Sequence, residues 1–279
     1  LHTRGSMFGE KFVLLQQEGF LTQSSLCQGL TNLRKANIGD QERGLFYSAF
    51  FQLSIGIERL MKLTVLLDYM LENKLRVMTD KQLKHQYGHK IKDLYSAVQT
   101  IAVRHEIPVD GFFDEGTEWN IVHFMHEFAL TARYYNLSKL SGGANSQDPL
   151  SAWWNIIYDL YLDEVSEIKR NNIRVECYSI CDARGSNSFT YFHDFQGNIM
   201  TELECLMYPK IIEASSPHAV WFIIKILQPI FSVLTELQGK VKQLENEIGE
   251  QKSVIPFLHE FFPFLYCSRS MALKRKKWS

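Results

Sequence analysis

The stretch HEFALTARYYNLSKL, His126 to Leu140, sets His126, Ala129, Arg133 and Asn136 at steps of three and four, the spacing that lines one face of a helix. A neighbouring stripe, Ile121, Phe124, Phe128, Thr131 and Tyr135, carries the bulk suited to a core. A guanidinium on the first stripe can grip a phosphate or carboxylate through two parallel N–H bonds, and the small Ala129 leaves room for a ligand or another backbone beside it. Arg133 is equally the type of residue that lays its stem along apolar surface and pairs with a carboxylate of the bundle. His85 and His89, four apart, and His123 and His126, three apart, could each supply two metal ligands from one helix. Neither pair has a third or fourth ligand nearby in sequence, and Gly88 weakens the first helix, so no metal is expected. Cys177, Cys181 and His193 read as strand residues, the cysteines acting as small buried hydrophobes. No Gly-rich phosphate loop, nucleophile elbow or zinc-protease helix occurs, and no cofactor is expected.

The elements that must position these residues are mostly helical. From Phe46 to Leu71, Phe46, Phe50, Leu53, Ile57, Leu60, Met61 and Leu67 form one stripe, while Phe51, Ile55, Leu63, Leu66 and Met70 form another. A helix apolar on more than one face must be wrapped by neighbours, so this one is predicted to be the centre of a bundle. Shorter helices are predicted over Phe8–Gly19 and Ser24–Ala36 before it, and over Asp80–Val103 and Glu118–Leu140 after it. SGGANSQDP, Ser141 to Pro149, stops the last of these and marks a linker.

Beyond the linker, Leu150–Arg170 reads as a Trp- and Tyr-rich helix. IRVECYSI (Ile173–Ile180) and SFTYFHDF (Ser188–Phe195) alternate apolar and polar residues about a turn at Asp182–Asn187, which predicts a small β-hairpin near 173–195. Val220, Ile223, Leu227, Ile230, Leu234, Leu237, Val241, Leu244 and Ile248 then keep a heptad seam, predicting a long helix near 218–250 with a kink at Pro229. The seam is served equally by an intrachain hairpin with Phe257–Leu265 and by a coil between chains. Trp119, Trp153 and Trp154 are either packing anchors or the wall of a small-ligand pocket, and the closing LKRKKWS is a basic tail, solvated or in contact with nucleic acid.

The fold class expected is therefore mainly α: a helical bundle over residues 7–145, and over 146–279 a helical C-terminal extension with a small hairpin. Residues 1–6, LHTRGS, read as an expression-tag remnant before Met7. In 279 residues, Lys and Arg number 30 against 31 Asp and Glu, so overall charge does not drive the chain onto nucleic acid, although a local basic patch still could. Five scattered cysteines fit a reducing cytoplasm. Glu58, Arg59, Lys62, Lys225 and Pro229 interrupt the most apolar runs, so a soluble, cytoplasmic chain without membrane contact is expected.

GLFYSAFFQLSIGIERLMKLTVLLDYM, then YGHKIKDLY (Tyr87–Tyr95), then FALTARYYNLSKL resembles the HEPN superfamily of α-helical bundles found in prokaryotic defence, toxin–antitoxin and RNA-processing systems. The likeness covers roughly Gln41 to Leu140. It implies a homodimer, RNA as ligand, a cognate antitoxin or defence partner protein, and a metal-independent ribonuclease. In that family an Arg, followed after four to six residues by a His, lines a cleft between two chains. The resemblance puts Arg133 in the place of that arginine, with Tyr134 and Lys139 as RNA contacts, Asn136 and His126 as further catalytic candidates, and His89 as a matching family residue. Ser138, Lys139 and Leu140 stand where the family His belongs, and Lys139 could serve as a base only with a strongly lowered pKa. The alternative is a catalytically inactive bundle of the same kind that dimerises or holds a partner.

Overall fold

In the computed structural model, which describes residues 8–108, 111–143, 147–185 and 188–279, ten α-helices surround a core and one two-stranded sheet lies at its edge. The tag-like residues 1–6 fall outside the described residues. Helices α1 (Glu10–Lys35) and α2 (Asp40–Glu72) form the tightest pair. Gly29 of α1 lies on Leu53 of α2, and Gly56 of α2 lies on Leu26 of α1; a Cβ at either glycine would come within 2.7 Å of the leucine Cγ. The sequence predicts two helices where α1 is one. Gly19 does not break it, because its bare Cα is a packing surface: the ring of Phe261 would sit 2.6 Å from a Cβ there. As expected from its two apolar stripes, α2 is wrapped, with Phe46, Phe50, Leu53, Leu60, Met61, Leu67 and Met70 all buried.

The predicted helix over 80–103 is two, α3 (Asp80–Gln86) and α4 (Ile91–Arg104), divided where Gly88 takes a left-handed conformation. The predicted helix over 118–140 also divides. α5 (Gly116–Leu130) ends at Thr131, whose hydroxyl turns back to the Glu127 carbonyl at 3.1 Å, and a 3₁₀ turn (Ala132–Tyr134) leads into α6 (Tyr135–Leu140). α7 (Pro149–Glu164) starts on the Asp148 cap, its carboxylate accepting the Leu150 N–H at 2.8 Å.

Ile173–Ile180 is not a strand. It lies within α8 (Glu167–Arg184), capped by Ser166 and closed by left-handed Gly185. The residues α8 buries, Ile173 and Cys177, are four apart, so the segment's helical period governs and its period-two alternation is incidental. The hairpin lies downstream, β1 (Phe189–His193) antiparallel to β2 (Ile199–Thr201). Its turn is built by Asp194, whose carboxylate accepts the Gln196 and Asn198 N–H groups, both at 2.8 Å.

α9 (Glu202–Ile248) begins sixteen residues before the predicted start, on a capping box of Thr201 and Glu204, and continues through Pro209, Pro217 and Pro229. Its heptad seam is covered within the chain: Leu234, Leu237 and Val241 are fully buried, and Gln238 holds the 3₁₀ turn at Leu258–Phe261 by accepting the His259 N–H at 3.0 Å. α9 is long and apolar enough to cross a membrane, yet 67% of its most apolar window is buried inside the fold, as in a core helix. Buried residues from either side of the 141–149 linker join one core.

His218 of α9 is enclosed near Glu164, with Nδ1 at 3.5 Å from the carboxylate, and burial depresses its pKa. The unfolded chain therefore takes up this proton at a higher pH than the folded one, so stability is full above about pH 6.5 and falls as pH drops below it. Thermal melts should give a lower Tm at acid pH, and His218→Gln should flatten that dependence. An equal acid loss in both proteins would remove His218 as its cause.

Candidate functional site

Tyr47, Phe51, Glu58 and Lys62 lie at steps of four, seven and four along α2, within an arc of about 60° around its axis. This stripe is the floor of the candidate site. At one end Asn136 donates its Nδ2–H to the Tyr47 hydroxyl at 3.4 Å. Burial, with Asp148 adding to it, pushes the Tyr47 hydroxyl up to about 12, so it stays protonated. Next along the stripe Arg133 places Cζ 6.0 Å from the Phe51 ring centre, and that ring packs edge-on against Phe128 at 5.2 Å. Nε and Nη2 of Arg133 are shielded from solvent and meet no acceptor among the described residues. Leaving such donors unpaired costs about 1–3 kcal/mol each, more for a charged group. The pairing of Arg133 with a bundle carboxylate is thus absent among the described residues.

About 10 Å further along α2, seven residues at 1.5 Å each, stands Glu58. Its carboxylate is nearly buried and accepts from Lys62 at 2.7 Å and from Nδ1 of His89 at 3.0 Å. A carboxylate that accepts from two sides fixes the hydrogen of His89 on Nδ1 and leaves Nε2 outward on a ring that is 62% exposed. Sequence spacing along α5 could not find this pair, since His89 and Glu58 are 31 residues apart. The signal available in sequence was Glu58 itself, a carboxylate set among the apolar residues Leu53, Ile55, Ile57, Leu60 and Met61.

His126 does not share a face with Arg133. The helix breaks at Thr131 between them, and His126 turns to the start of α4, where Nδ1 accepts the Lys92 N–H at 3.5 Å. Burial lowers its pKa. Lys139 donates to the Tyr135 hydroxyl at 3.0 Å, which raises its pKa, so it is a stable cation and not a base. Tyr134 projects outward, along with Leu137 and Leu140, the last two 64% and 84% exposed.

Among the described residues, His85, His89, His123 and His126 belong to no group of three closely spaced His, Cys, Asp or Glu ligand atoms. Instead Asp68, Glu72 and His105 bring ligand atoms within 4.8 Å of one another. Arg104 donates into both carboxylates, to Asp68 at 2.8 Å, and so takes the place a cation would fill. Trp153 and Trp154 are packing anchors, the first buried against Phe50 and Phe124 and the second stacked on Tyr208 at 4.2 Å, while Trp119 is half-buried beside Tyr95 with Lys92 over its ring. An open cleft of about 670 Å³ between α5 and α7 is lined by His123, Glu127 and Asp159 and excludes both Arg133 and His126. No family model, no curated protein and no solved structure matches the chain.

Proposed function

We propose that the chain is an RNA-directed, HEPN-like protein in which Arg133 holds a backbone phosphate and His89, oriented by Glu58, moves the proton. The observation that carries this reading is the guanidinium of Arg133, enclosed beside Phe51 with Nε and Nη2 lacking an acceptor among the described residues. A phosphate supplies two acceptors in the geometry a guanidinium prefers. In the reaction the 2′-hydroxyl of RNA attacks the adjacent phosphorus. His89 Nε2 takes the hydroxyl proton as the O2′–P bond forms. Arg133 balances the charge gathering on the non-bridging oxygens, and the 5′-oxygen leaves with a proton from solvent. The products are a 2′,3′-cyclic phosphate and a 5′-hydroxyl. Incubation with tRNA and total RNA tests the role of the imidazole: cleavage by the wild type and its loss in His89→Gln is expected, whereas undiminished cleavage in that variant would remove His89 from the reaction.

The chain on either side of Arg133 exposes Leu130 at the end of α5, Tyr134 in the 3₁₀ turn, and Leu137 and Leu140 in α6, a run of bare apolar side chains of the kind that a partner covers. In the proposed assembly a second copy covers it, as the family resemblance implies, and the two polar stripes meet across the interface. Light scattering should give twice the chain mass for the wild type and a monomer for Leu137→Asp/Leu140→Asp. A wild-type monomer would end the dimer proposal. The catalytically inactive alternative is favoured by the non-titratable Ser138 and Leu140 at the family His positions. A dimer that binds RNA and never cuts it is its signature.

A further inference from the structure

The basic segment that closes the sequence is fixed to the fold. Trp278 is 3% exposed, its backbone N–H donates to the Thr31 hydroxyl of α1 at 2.9 Å, and Arg275 lies over its ring at 4.9 Å. Ala272 in α10 (Arg269–Lys274) is buried as well, so Lys274, Arg275, Lys276 and Lys277 are held between two buried anchors while staying exposed. Lys274, Lys276, Lys277 and nearby Lys35 have no carboxylate partner among the described residues. In a chain of net charge −1 this is a concentrated positive surface.

Between this segment and α1 runs a cleft of about 580 Å³. Among the described residues no Asp or Glu side chain lines it; its polar walls are the two lysines Lys35 and Lys277 with Gln23, Ser24, Gln28, Thr31, Asn32 and Ser279. The indole Nε1 of Trp278, a wall residue, is buried and lacks an acceptor among the described residues. Cys27, also in the wall, adds no negative charge, because burial pushes its thiol up to about 11. Along α1 the cleft extends from Phe20, whose ring is exposed, to Lys35, fifteen residues or about 22 Å apart. That is far longer than one phosphate group requires.

We infer that the cleft between α1 and the C-terminal basic segment binds the phosphodiester backbone of single-stranded RNA, with Lys35 and Lys277 of its wall on the phosphates, Lys274 and Lys276 of the same segment meeting the strand beyond the cleft, and Phe20 offering a face on which a base stacks. The choice of RNA rests on the reading of Arg133; the charge and shape of the cleft do not. It is a second contact that would hold a strand on the protein outside the reacting centre.

The test is fluorescence anisotropy with a 2′-O-methyl oligouridine, which cannot be cleaved, across a salt series. Lys274→Ala/Lys276→Ala/Lys277→Ala should bind about tenfold or more weakly, and its plot of log affinity against log salt should be shallower by about 2, from about 0.7 per phosphate contact over three lysines. Phe20→Ala, which leaves the charge alone, should weaken binding while keeping the wild-type slope. Wild-type affinity and slope in the triple variant would overturn the inference; so would a wild type that binds anionic phosphatidylserine vesicles or inorganic phosphate and no oligonucleotide. The two proposals fail separately: an unaffected triple variant with cleavage lost in Arg133→Ala retains only the Arg133 site, and the reverse pattern retains only the cleft.

Discussion

Arg133→Ala is expected to lower RNA cleavage by about 10²- to 10³-fold, the range seen when one preorganised donor to a developing oxyanion is removed. The fold should tolerate the change. Arg133 makes no hydrogen bond or ion pair among the described residues, and its one aromatic neighbour, Phe51, remains packed on Phe128 at 5.2 Å. Removing buried N–H groups that meet no acceptor also relieves a desolvation cost, so Tm should stay level or rise slightly. Arg133→Lys separates charge from geometry. A lysine keeps the positive charge but lacks the planar fork, and most of the loss should persist. A variant that keeps its cleavage rate while losing stability would make Arg133 a structural residue.

Gly56→Val should lower Tm by about 2–12 °C. A Cβ at Gly56 would sit 2.7 Å from the Leu26 Cγ and 3.1 Å from the Leu26 backbone nitrogen, and a main-chain atom inside a helix cannot turn aside as a side-chain end can. Overpacking of this kind costs about 1–3 kcal/mol, and each kcal/mol moves Tm by about 2–4 °C in a protein of this size. Gly29 faces Leu53 with the same closeness, its Cβ position 3.0 Å from the Leu53 nitrogen, so Gly29→Val should behave alike. Gly239 supplies the opposite case. It lies in α9 with nothing within 4 Å of a Cβ, and Gly239→Ala should stabilise by up to about 1 kcal/mol through helix propensity alone. Differential scanning calorimetry on the three variants checks the contrast. Equal effects at Gly56 and Gly239 would mean that the α1–α2 approach is not set by the glycines.

The α2 stripes and the α9 seam were legible because a helix that is apolar over several turns leaves a strong period, and burial of Phe50, Leu53, Leu234 and Leu237 follows it. The partner of the α9 seam was not legible. Periodicity fixes which face needs cover, and only the folded chain shows α2, α7 and the 258–266 segment supplying it. Boundaries were missed wherever one residue decides the backbone: Gly88 splits a helix by taking φ of +51°, whereas Gly19 continues one because Phe261 fills the space beside it. IRVECYSI satisfied both a two-residue and a near-four-residue period, and the Ser166 and Gly185 caps, outside the segment itself, resolve it as helix. The candidate site divides along the same line. Arg133 was singled out by its spacing and by the resemblance, whereas its enclosed, unpaired guanidinium shows only in the fold; its grouping with His126 assumed one unbroken helix, and the break at Thr131 undoes it. Glu58 and His89 meet across the fold, where no local pattern reaches. The basic tail was visible as a charge run, while the cleft it encloses depends on Trp278 meeting Thr31, 247 residues away.

The most direct measurement is of products. Wild type and Arg133→Ala are incubated, in the presence of a chelator, with one RNA and with the same RNA carrying a 2′-deoxy residue at the cut position, and the new ends are identified by mass spectrometry. The expected result is 2′,3′-cyclic phosphate and 5′-hydroxyl ends from wild type on RNA alone, with little product from the variant or from the deoxy substrate. Cleavage of the deoxy substrate, or equal products from wild type and Arg133→Ala, would contradict an Arg133-centred site that uses the RNA's own hydroxyl.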